Sequence, residues 1–386
     1  MTRRQSWRFW AVAVASPVLF CLLRVLVAGH GSARRLVLLG RAFADVGHLP
    51  YLMPFATDPT GYDGQFYWRL ALNPTHWSTA SYLGVHLDSA FRLNRVAYPA
   101  LAWVLSLGQR SLVPVGLLAV NVLALVVLAG VGRAAARRAG LRAWWGLTLW
   151  IAPGLVGALS RDLTDAVMTV AVVAFIVSYR RGWWWRAAAA LSVAVLSRET
   201  ALLVVLIYAA ASALEVARRQ RRLALRDLAW FAPLVIEVGW QVLVHHALGV
   251  WPLRSSSGSG DLGLPLVGIL TGVPHWFTST SLRSLARAAL DGAQSVAAFT
   301  MLILAWSQRR RVVATELAVV AVFALLFLAE SAQGWRSPFD ARYATLPMTL
   351  TALHVLEVGS PRARRVVLVV GVPVLVLTAL WRVAVL

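Results

Sequence analysis

Long apolar runs recur from one end of this 386-residue chain to the other, and they constrain its fold more than any other feature. Most runs are about 15–21 residues long, and an apolar helix of about 20 residues spans a bilayer. Charged residues make up only 14% of the chain, against roughly 25% in soluble domains. The sequence therefore predicts a single all-α polytopic membrane domain, 1–386, with about 11 transmembrane helices. The predicted spans are residues 8–28, 112–132, 143–159, 164–179, 183–197, 201–216, 228–246, 289–306, 313–330, 342–357 and 366–385.

Arginine is distributed unequally between the loops that join these spans. All 37 basic residues are arginine. With a cytoplasmic N-terminus, the inner loops hold 21 arginines and only four acids lie near the inner face, whereas the outer segments hold 14 arginines and 11 acids. Positively charged loops stay on the cytoplasmic side. The pattern predicts a multi-pass protein of the plasma (inner) membrane, in which 8–28 is a retained signal anchor. It also explains the net charge of +21 without nucleic acid as a partner.

Two large loops are predicted on the outer side. The first, 29–111, contains surface helices, among them residues 96–107, which are apolar but too short to span. The second covers 247–288. Its apolar part, 264–277, is predicted to be re-entrant or interfacial, because counting it as a span would move Arg309–Arg311 to the outside.

Polar residues gather in four short segments on the predicted outer side. These segments are "GYDGQFYW" (61–68), "SRDLTD" (160–165), "SRETA" (197–201) and "GWRSPFDARY" (334–343). The inner loops, in contrast, consist mostly of arginine and alanine. This distribution predicts that recognition or catalysis takes place at the extracytoplasmic face.

Asp63 stands out because it lies between aromatic residues in the first segment. Tyr62 and Tyr67 would offer flat faces to sugar rings or lipid headgroups, and Gln65 is a further candidate substrate contact. Gly64 would allow close approach of backbone or substrate. Partial desolvation raises the pKa of a carboxylate and makes it a better general base. Aspartate is equally a common N-cap residue for a helix that begins here, so residue chemistry leaves both roles open.

The "SRDLTD" segment carries two acids and an arginine. Asp162 and Asp165 are three residues apart and would share one face of a helix. Asp162 or Thr164 could cap that helix. The alternative is that both acids join Arg161 in contacting substrate hydroxyls or phosphate.

The "SRETA" segment places Arg198 and Glu199 at the start of another predicted span. A guanidinium group is a bidentate fork that suits phosphate. The arginines on the predicted outer side could therefore form an anion site, with ordinary salt bridges to the outer acids as the alternative. The candidates are Arg92, Arg95, Arg161, Arg198, Arg336 and Arg342.

Other chemistry has less support in the sequence. Zinc motifs such as H-E-x-x-H are absent, and the outer loops contain no D-x-D. A divalent metal site is thus compatible with the sequence but not indicated by it, and no cofactor is expected. No P-loop is present, which argues against coupling to ATP. Within the predicted spans, Arg24 and Glu237 are expected to pair with one another.

The quoted segments resemble a known superfamily. A long first outer loop with an aspartate, on a scaffold of about eleven spans, resembles the GT-C membrane glycosyltransferases. More narrowly, "YDGQFYWRLALNP", "RLNRVAYPALAWVLSLG", "SRDLTD" and "SRET" resemble a bacterial group, mannosyltransferase-like in character, that is linked to cell-surface glycopolymers of the envelope. The resemblance covers about residues 55–200. Unlike better-known members, this chain has no paired acids in the first loop, which puts metal dependence in doubt.

The resemblance implies a polyprenyl-phosphate sugar donor, used at the extracytoplasmic face, and a general-base role for Asp63. The acceptor would be a glycan, a lipid or a protein, and membrane lipids would surround the enzyme. Two rivals remain: a transporter or flippase of lipid-linked sugars, and a non-catalytic assembly partner for surface polymers. A transporter often shows repeated halves and broken helices, and no repeat is visible in this sequence.

Overall fold

The computed structural model describes residues 3–255, 262–336 and 342–385, and within these ranges the chain is helical, with no β-strand. The α-helices are α1 Arg3–Val27, α2 Gly64–Leu72, α3 Ala97–Leu105, α4 Val113–Arg138, α5 Pro153–Arg161, α6 Asp165–Arg180, α7 Trp184–Ser197, α8 Leu202–Ala217, α9 Leu228–Leu248, α10 Val267–Gly272, α11 Leu282–Ser307, α12 Ala314–Leu328, α13 Ala332–Arg336, α14 Thr345–Val358 and α15 Pro361–Ala384. Short 3-10 helices join them at Ala33–Val37, Arg41–Phe43, Val46–His48, Ala90–Arg95, Arg110–Leu112, Ala143–Trp150, Glu199–Ala201, Leu225–Asp227, Pro252–Arg254, Val273–Phe277 and Arg342–Ala344.

Six helical segments in the described residues are long and apolar enough to cross a membrane, which confirms the prediction of a helical membrane protein. They are Ser6–Val27, Arg110–Arg138, Glu199–Ala217, Leu225–Leu248, Leu282–Ser307 and Pro361–Ala384. A seventh results if Ala143–Trp150 and Pro153–Arg161, which meet at an angle of 67°, form one broken span. Proline lacks a backbone N–H and favours the first turn of a helix, so Pro153 accounts for the break.

The remaining predicted spans are helices too, but they are short. These four helices, α6, α7, α12 and α14, have 14–16 residues each. At 1.5 Å per residue such a helix is about 21–24 Å long, less than the roughly 30 Å of a hydrocarbon core. The count of eleven transmembrane helices therefore stays a prediction.

The chain is organised in two compact units. The first comprises Met1–Ala13, Val126–Gly157 and Gly258–Trp381, and the second comprises Val14–Leu125, Ala158–Ser257 and Arg382–Leu386. In the first unit, α14 is buried from Thr345 to Leu356 between neighbours that include α11 and α12. In the second unit, the first loop folds onto the helices: Phe66 and Leu70 of α2 share a buried cluster with Leu93 and with Val244 of α9.

Two apolar segments that the sequence analysis kept out of the span count are short helices. Residues 96–107 contain α3, on which Trp103 and Val104 are exposed. Residues 264–277 contain α10 and the 3-10 helix Val273–Phe277. Both helices are too short to span a membrane. Residues 256–261 of the predicted second outer loop lie outside the described ranges.

The expected pairing of the two buried charges is wrong. Arg24 donates to the carbonyl oxygens of Ser160, at 2.9 Å, and of Val385, at 2.6 Å. Glu237 instead accepts a hydrogen bond from Gln241, one helical turn away, at 2.8 Å. Arg24 and Glu237 therefore bind separate partners, backbone carbonyls and an amide, and not each other.

Candidate functional site

The start of α2 is tied to the rest of the first loop through Gln65. The Gln65 side chain is fully buried, and its Oε1 accepts from the backbone N–H of Gly40 at 2.9 Å. Its Nε2 donates to the carbonyl of Thr60 at 2.8 Å. Both halves of the amide are therefore engaged with backbone, so Gln65 shapes the loop and does not face a substrate.

Gly64 explains how the "SRDLTD" segment comes to lie beside the first loop. A methyl group on Gly64 would lie 2.8 Å from the carbonyl oxygen of Arg161 and 3.2 Å from that of Val37. Atoms do not approach so closely without displacement. The close approach expected at Gly64 is thus made by the protein's own backbone.

Asp63 occupies the N-cap position of α2, but its side chain makes no capping hydrogen bond. Its Oδ2 lies 2.7 Å from Nη1 of Arg92 and 3.8 Å from Nη1 of Arg95. The Asp63 side chain is 29% exposed. Its carboxylate is therefore held by two guanidinium groups, and its side chain is partly exposed.

Arg92 is held by a second carboxylate that the sequence analysis missed. Its Nε lies 2.9 Å from Oδ1 of Asp88, and its Nη2 lies 2.7 Å from Oδ2. The guanidinium also lies 4.6 Å from the ring centre of Phe66. A signal was present, because Asp88 and Arg92 have the i, i+4 spacing of a local ion pair.

Arg95 joins the first loop to the "SRETA" segment. Its Nε and Nη2 donate to the two carboxylate oxygens of Glu199 at 2.9 and 2.7 Å. Its Nη1 donates to the buried hydroxyl of Tyr67 at 2.8 Å. Tyr67 is thus a support for Arg95. We call the five residues Asp63, Asp88, Arg92, Arg95 and Glu199 the Asp63 cluster.

The Asp63 cluster contains three carboxylates and two guanidinium groups. Burial alone would lower the pKa of Arg92, but Asp63 and Asp88 outweigh burial and raise it. At Arg95, burial is likewise outweighed, by Glu199, Tyr67 and Asp63 together, and the pKa is raised. Cations next to a carboxylate favour its ionised form. The sequence predicts that Asp63 lies among aromatic rings. In the structure, two guanidinium groups lie beside it.

Arg161 and Tyr62 form a separate contact in the second unit. The Arg161 guanidinium lies 4.4 Å from the centre of the Tyr62 ring. A cation over an aromatic face is attracted to its negative potential. Because Tyr62 directly precedes Asp63, this contact places Arg161 in the same region of the unit.

The expectation that Asp162 and Asp165 share one helical face is wrong. Asp165 is the first residue of α6 and forms an ion pair with Arg198, with only 6% and 5% of the two side chains exposed. Asp162 precedes the helix in a left-handed backbone conformation, φ 53°. Thr164 takes the N-cap position without a side-chain capping bond. The two aspartates therefore have different roles.

Asp162 is fully buried, and neither of its carboxylate oxygens accepts a hydrogen bond from any residue in the described part of the chain. Burial raises the pKa of Asp162 well above its usual value, and the nearby charge of Arg24 only partly opposes this. A buried carboxyl group without a partner is stable only when neutral. Burial therefore favours the neutral form of the Asp162 carboxyl group.

Arg342 belongs to the other compact unit. Its Nε lies 3.9 Å from Oε1 of Glu330, and its guanidinium lies over the ring of Tyr343. Residues 337–341 of the "GWRSPFDARY" segment lie outside the described ranges. Nothing therefore assigns Arg342 to the Asp63 cluster.

Within residues 3–255, 262–336 and 342–385, no group of three His, Cys, Asp or Glu side chains is arranged to hold a metal ion. Compared with known proteins, the chain matches no family model, no curated protein and no solved structure. Inference about its function therefore starts from the geometry of the Asp63 cluster.

Proposed function

We propose that this protein is a membrane glycosyltransferase of the GT-C type. It would move a sugar from a polyprenyl-phosphate donor to an acceptor hydroxyl at the extracytoplasmic face of the plasma membrane. One observation carries the proposal: the carboxylate of Asp63 is partly exposed and lies 2.7 Å from a guanidinium group, in a helical membrane protein. A site of this kind offers a base and cations together, which sugar transfer from a phosphate requires.

Asp63 acts as the general base in this mechanism. It accepts the proton of the acceptor hydroxyl while the acceptor oxygen attacks the anomeric carbon of the donor sugar. The bond between that carbon and the phosphate oxygen breaks, and polyprenyl phosphate leaves. A base must be ionised before it accepts a proton, and Arg92 and Arg95 favour the ionised form of their neighbour.

The leaving phosphate gains negative charge that cations can stabilise. Arg161 and Arg198 are among the arginines that the sequence predicts for this task. Arg198 is almost completely buried against Asp165, so we assign it to holding the start of α6. Arg161 remains a candidate for contact with phosphate because it lies over the ring of Tyr62, next to Asp63. Arg92 and Arg95 are held by carboxylates and support Asp63 instead.

The proposed location of the reaction indicates the class of acceptor. An extracytoplasmic site would serve glycans, lipids or proteins of the cell envelope. Tyr62, whose ring already stacks with Arg161, would provide an aromatic edge for a sugar ring. The mechanism uses no nucleotide and no metal ion.

A transporter of lipid-linked sugars is the second candidate. It is favoured by the 67° break between Ala143–Trp150 and Pro153–Arg161, because broken helices are common at transporter binding sites. A transporter does not need a base, so the two functions differ in what the loss of one carboxylate would do.

The test is mass spectrometry of lipids and envelope polymers from cells that lack the protein. These cells are complemented with wild type, with Asp63→Asn, or with Asp58→Asn as a control for charge removal at an exposed site of the same loop. The proposal expects one glycan to lose a defined sugar, and only wild type and Asp58→Asn to restore it. Full restoration by Asp63→Asn would overturn the transferase and favour the transporter.

A further inference from the structure

A basic pocket lies in the first unit, away from any residue assigned to sugar transfer. It has a volume of about 610 Å³ and is lined by Arg8, Arg137, Arg142 and Trp144, among others. We call these four residues the arginine pocket. Binding sites for small polar ligands have volumes of roughly 300–1,000 Å³, so a headgroup fits in the space.

The three arginines of the pocket are not neutralised by the protein. Among the described residues, no side chain or backbone carbonyl forms an ion pair or hydrogen bond with the guanidinium of Arg8, Arg137 or Arg142. Their neighbour Arg133 shows the contrast, because it donates to Ser6 Oγ at 2.6 Å and lies over the ring of Phe9. Three unneutralised cations around one concavity create a positive potential that attracts an anion.

The chemistry of arginine suits an oxyanion such as a phosphate. A guanidinium offers two parallel N–H donors that match two oxygens of a phosphate group. The side chains of Arg8, Arg137 and Arg142 are all exposed and can reorient toward a ligand. Free phosphate and the phosphate of a lipid headgroup share this chemistry.

The position of the pocket favours the lipid. Arg8 lies near the beginning of the candidate span Ser6–Val27, and Arg137 lies near the end of the candidate span Arg110–Arg138. Trp144 is 42% exposed and Trp7, next to Arg8, is 72% exposed. Tryptophan is enriched at the level of lipid headgroups, and basic clusters at helix ends attract anionic lipids.

We propose that the arginine pocket binds the phosphate of an anionic phospholipid. Arg137 and Arg142 belong to the loop 133–142, so the pocket lies on the side of the membrane that the sequence predicts for the arginine-rich loops. This proposal does not depend on the proposed glycosyl transfer. It gives the protein a specific lipid ligand in the surrounding membrane.

The test uses purified full-length protein in detergent and native mass spectrometry. Phosphatidylglycerol and phosphatidylcholine are added separately, and the apparent Kd of the first bound lipid is measured. Wild type should prefer phosphatidylglycerol. The triple variant Arg8→Gln, Arg137→Gln, Arg142→Gln should bind it about 10²-fold more weakly, since each arginine near an anionic surface contributes roughly a fivefold factor.

A matched triple variant separates the pocket from general positive charge. Arg218→Gln, Arg222→Gln and Arg310→Gln remove the same charge from exposed arginines of other loops. This variant should bind phosphatidylglycerol within about threefold of wild type. An equal loss in both triples would show diffuse attraction only and would overturn the proposal.

Two further experiments use variants that disturb folding less and test whether free phosphate is the ligand. The single variants Arg137→Gln and Arg142→Gln change the pocket least, and each should weaken phosphatidylglycerol binding about fivefold. No change in either single variant would count against the pocket. Inorganic phosphate at millimolar concentration should fail to displace the lipid, and full displacement would identify a free-phosphate site instead.

Discussion

The Asp63 cluster and the arginine pocket both contain several arginines. Among the described residues, acidic side chains neutralise the arginines of the cluster but not those of the pocket. In the cluster, Arg92 and Arg95 are matched by Asp63, Asp88 and Glu199 at distances of 2.7–3.8 Å. In the pocket, the three arginines have no acid beside them in the described part of the chain.

This difference shows that the number of arginines does not by itself identify an anion-binding site. Paired guanidinium groups hold side chains in one geometry and favour the ionised form of a neighbouring base. Unpaired guanidinium groups at a surface are available to an external anion. Under the two proposals, the cluster holds Asp63 in position for proton transfer, and the pocket binds a phosphate.

The largest expected effect concerns the carboxylate at the centre of the cluster. Asp63→Asn should lower the rate of sugar transfer about 10²–10⁴-fold, because the amide cannot accept the proton as a general base. The measurement is product formation by purified protein with polyprenyl-phosphate sugars. Asp58→Asn is the control and should retain the wild-type rate, whereas a similar loss in both variants would mean that Asp63 has no special role.

A second experiment compares a paired arginine with an unpaired one. Arg198→Met leaves Asp165 buried without its partner and should cost about 3–5 kcal/mol of unfolding free energy. Arg137→Met, in the pocket, should change it by no more than about 0.5 kcal/mol. Thermal unfolding of both variants in one detergent measures the contrast. Equal stabilities would show that pairing with a buried acid does not decide how much an arginine contributes to stability.

A third experiment measures how the buried carboxyl group of Asp162 affects the stability of the protein at different pH values. Burial raises the pKa of Asp162 above its unfolded value, so the folded chain holds a proton that the unfolded chain releases between those two pKa values. The unfolding free energy therefore falls as pH rises through that window, by at most about 1.4 kcal/mol per pH unit. Asp162→Asn should remove this contribution.

The Tm of Asp162→Asn should thus exceed that of wild type, and the gain should be larger at pH 8 than at pH 5. Asn also tolerates the left-handed backbone at this position. Asp45→Asn, at an exposed site, should leave the pH dependence of wild type intact. A parallel pH profile for wild type and Asp162→Asn would show that Asp162 is charged in the folded protein.

The smallest effect is expected where a pair is exposed. His48 Nδ1 lies 2.6 Å from Oδ2 of Asp45, but the two side chains are 75% and 49% exposed. Exposed pairs contribute roughly 0–1 kcal/mol because water and salt screen them. Asp45→Ala should therefore shift Tm only slightly. A loss as large as that of Arg198→Met would contradict the view that burial decides the value of a pair.

The sequence by itself determined the helical membrane character of this protein and the position of its helices along the chain. Each of the eleven predicted spans contains at least one helix, because apolar composition and length dictate that choice in a bilayer. It did not determine how many helices cross, since α6, α7, α12 and α14 are shorter than a hydrocarbon core.

Residue chemistry also singled out Asp63, Arg92, Arg95 and Glu199, but it could not decide what each side chain contacts. The pairing of Arg95 with Glu199 joins residues 104 positions apart, and the engagement of Gln65 with Gly40 joins residues 25 apart. Local spacing carries no information about such distances. Asp162 was also expected to share a helix with Asp165. The left-handed backbone at Asp162 excludes it from α6.

The tertiary structure alone decided which charges are neutralised. Arg198 was a candidate phosphate ligand, yet it forms an ion pair with Asp165. Arg8, Arg137 and Arg142 were counted only as loop arginines, yet they surround one pocket. The physical reason is that a charge is satisfied by whatever lies within a few ångströms of it, and only the folded chain determines those neighbours.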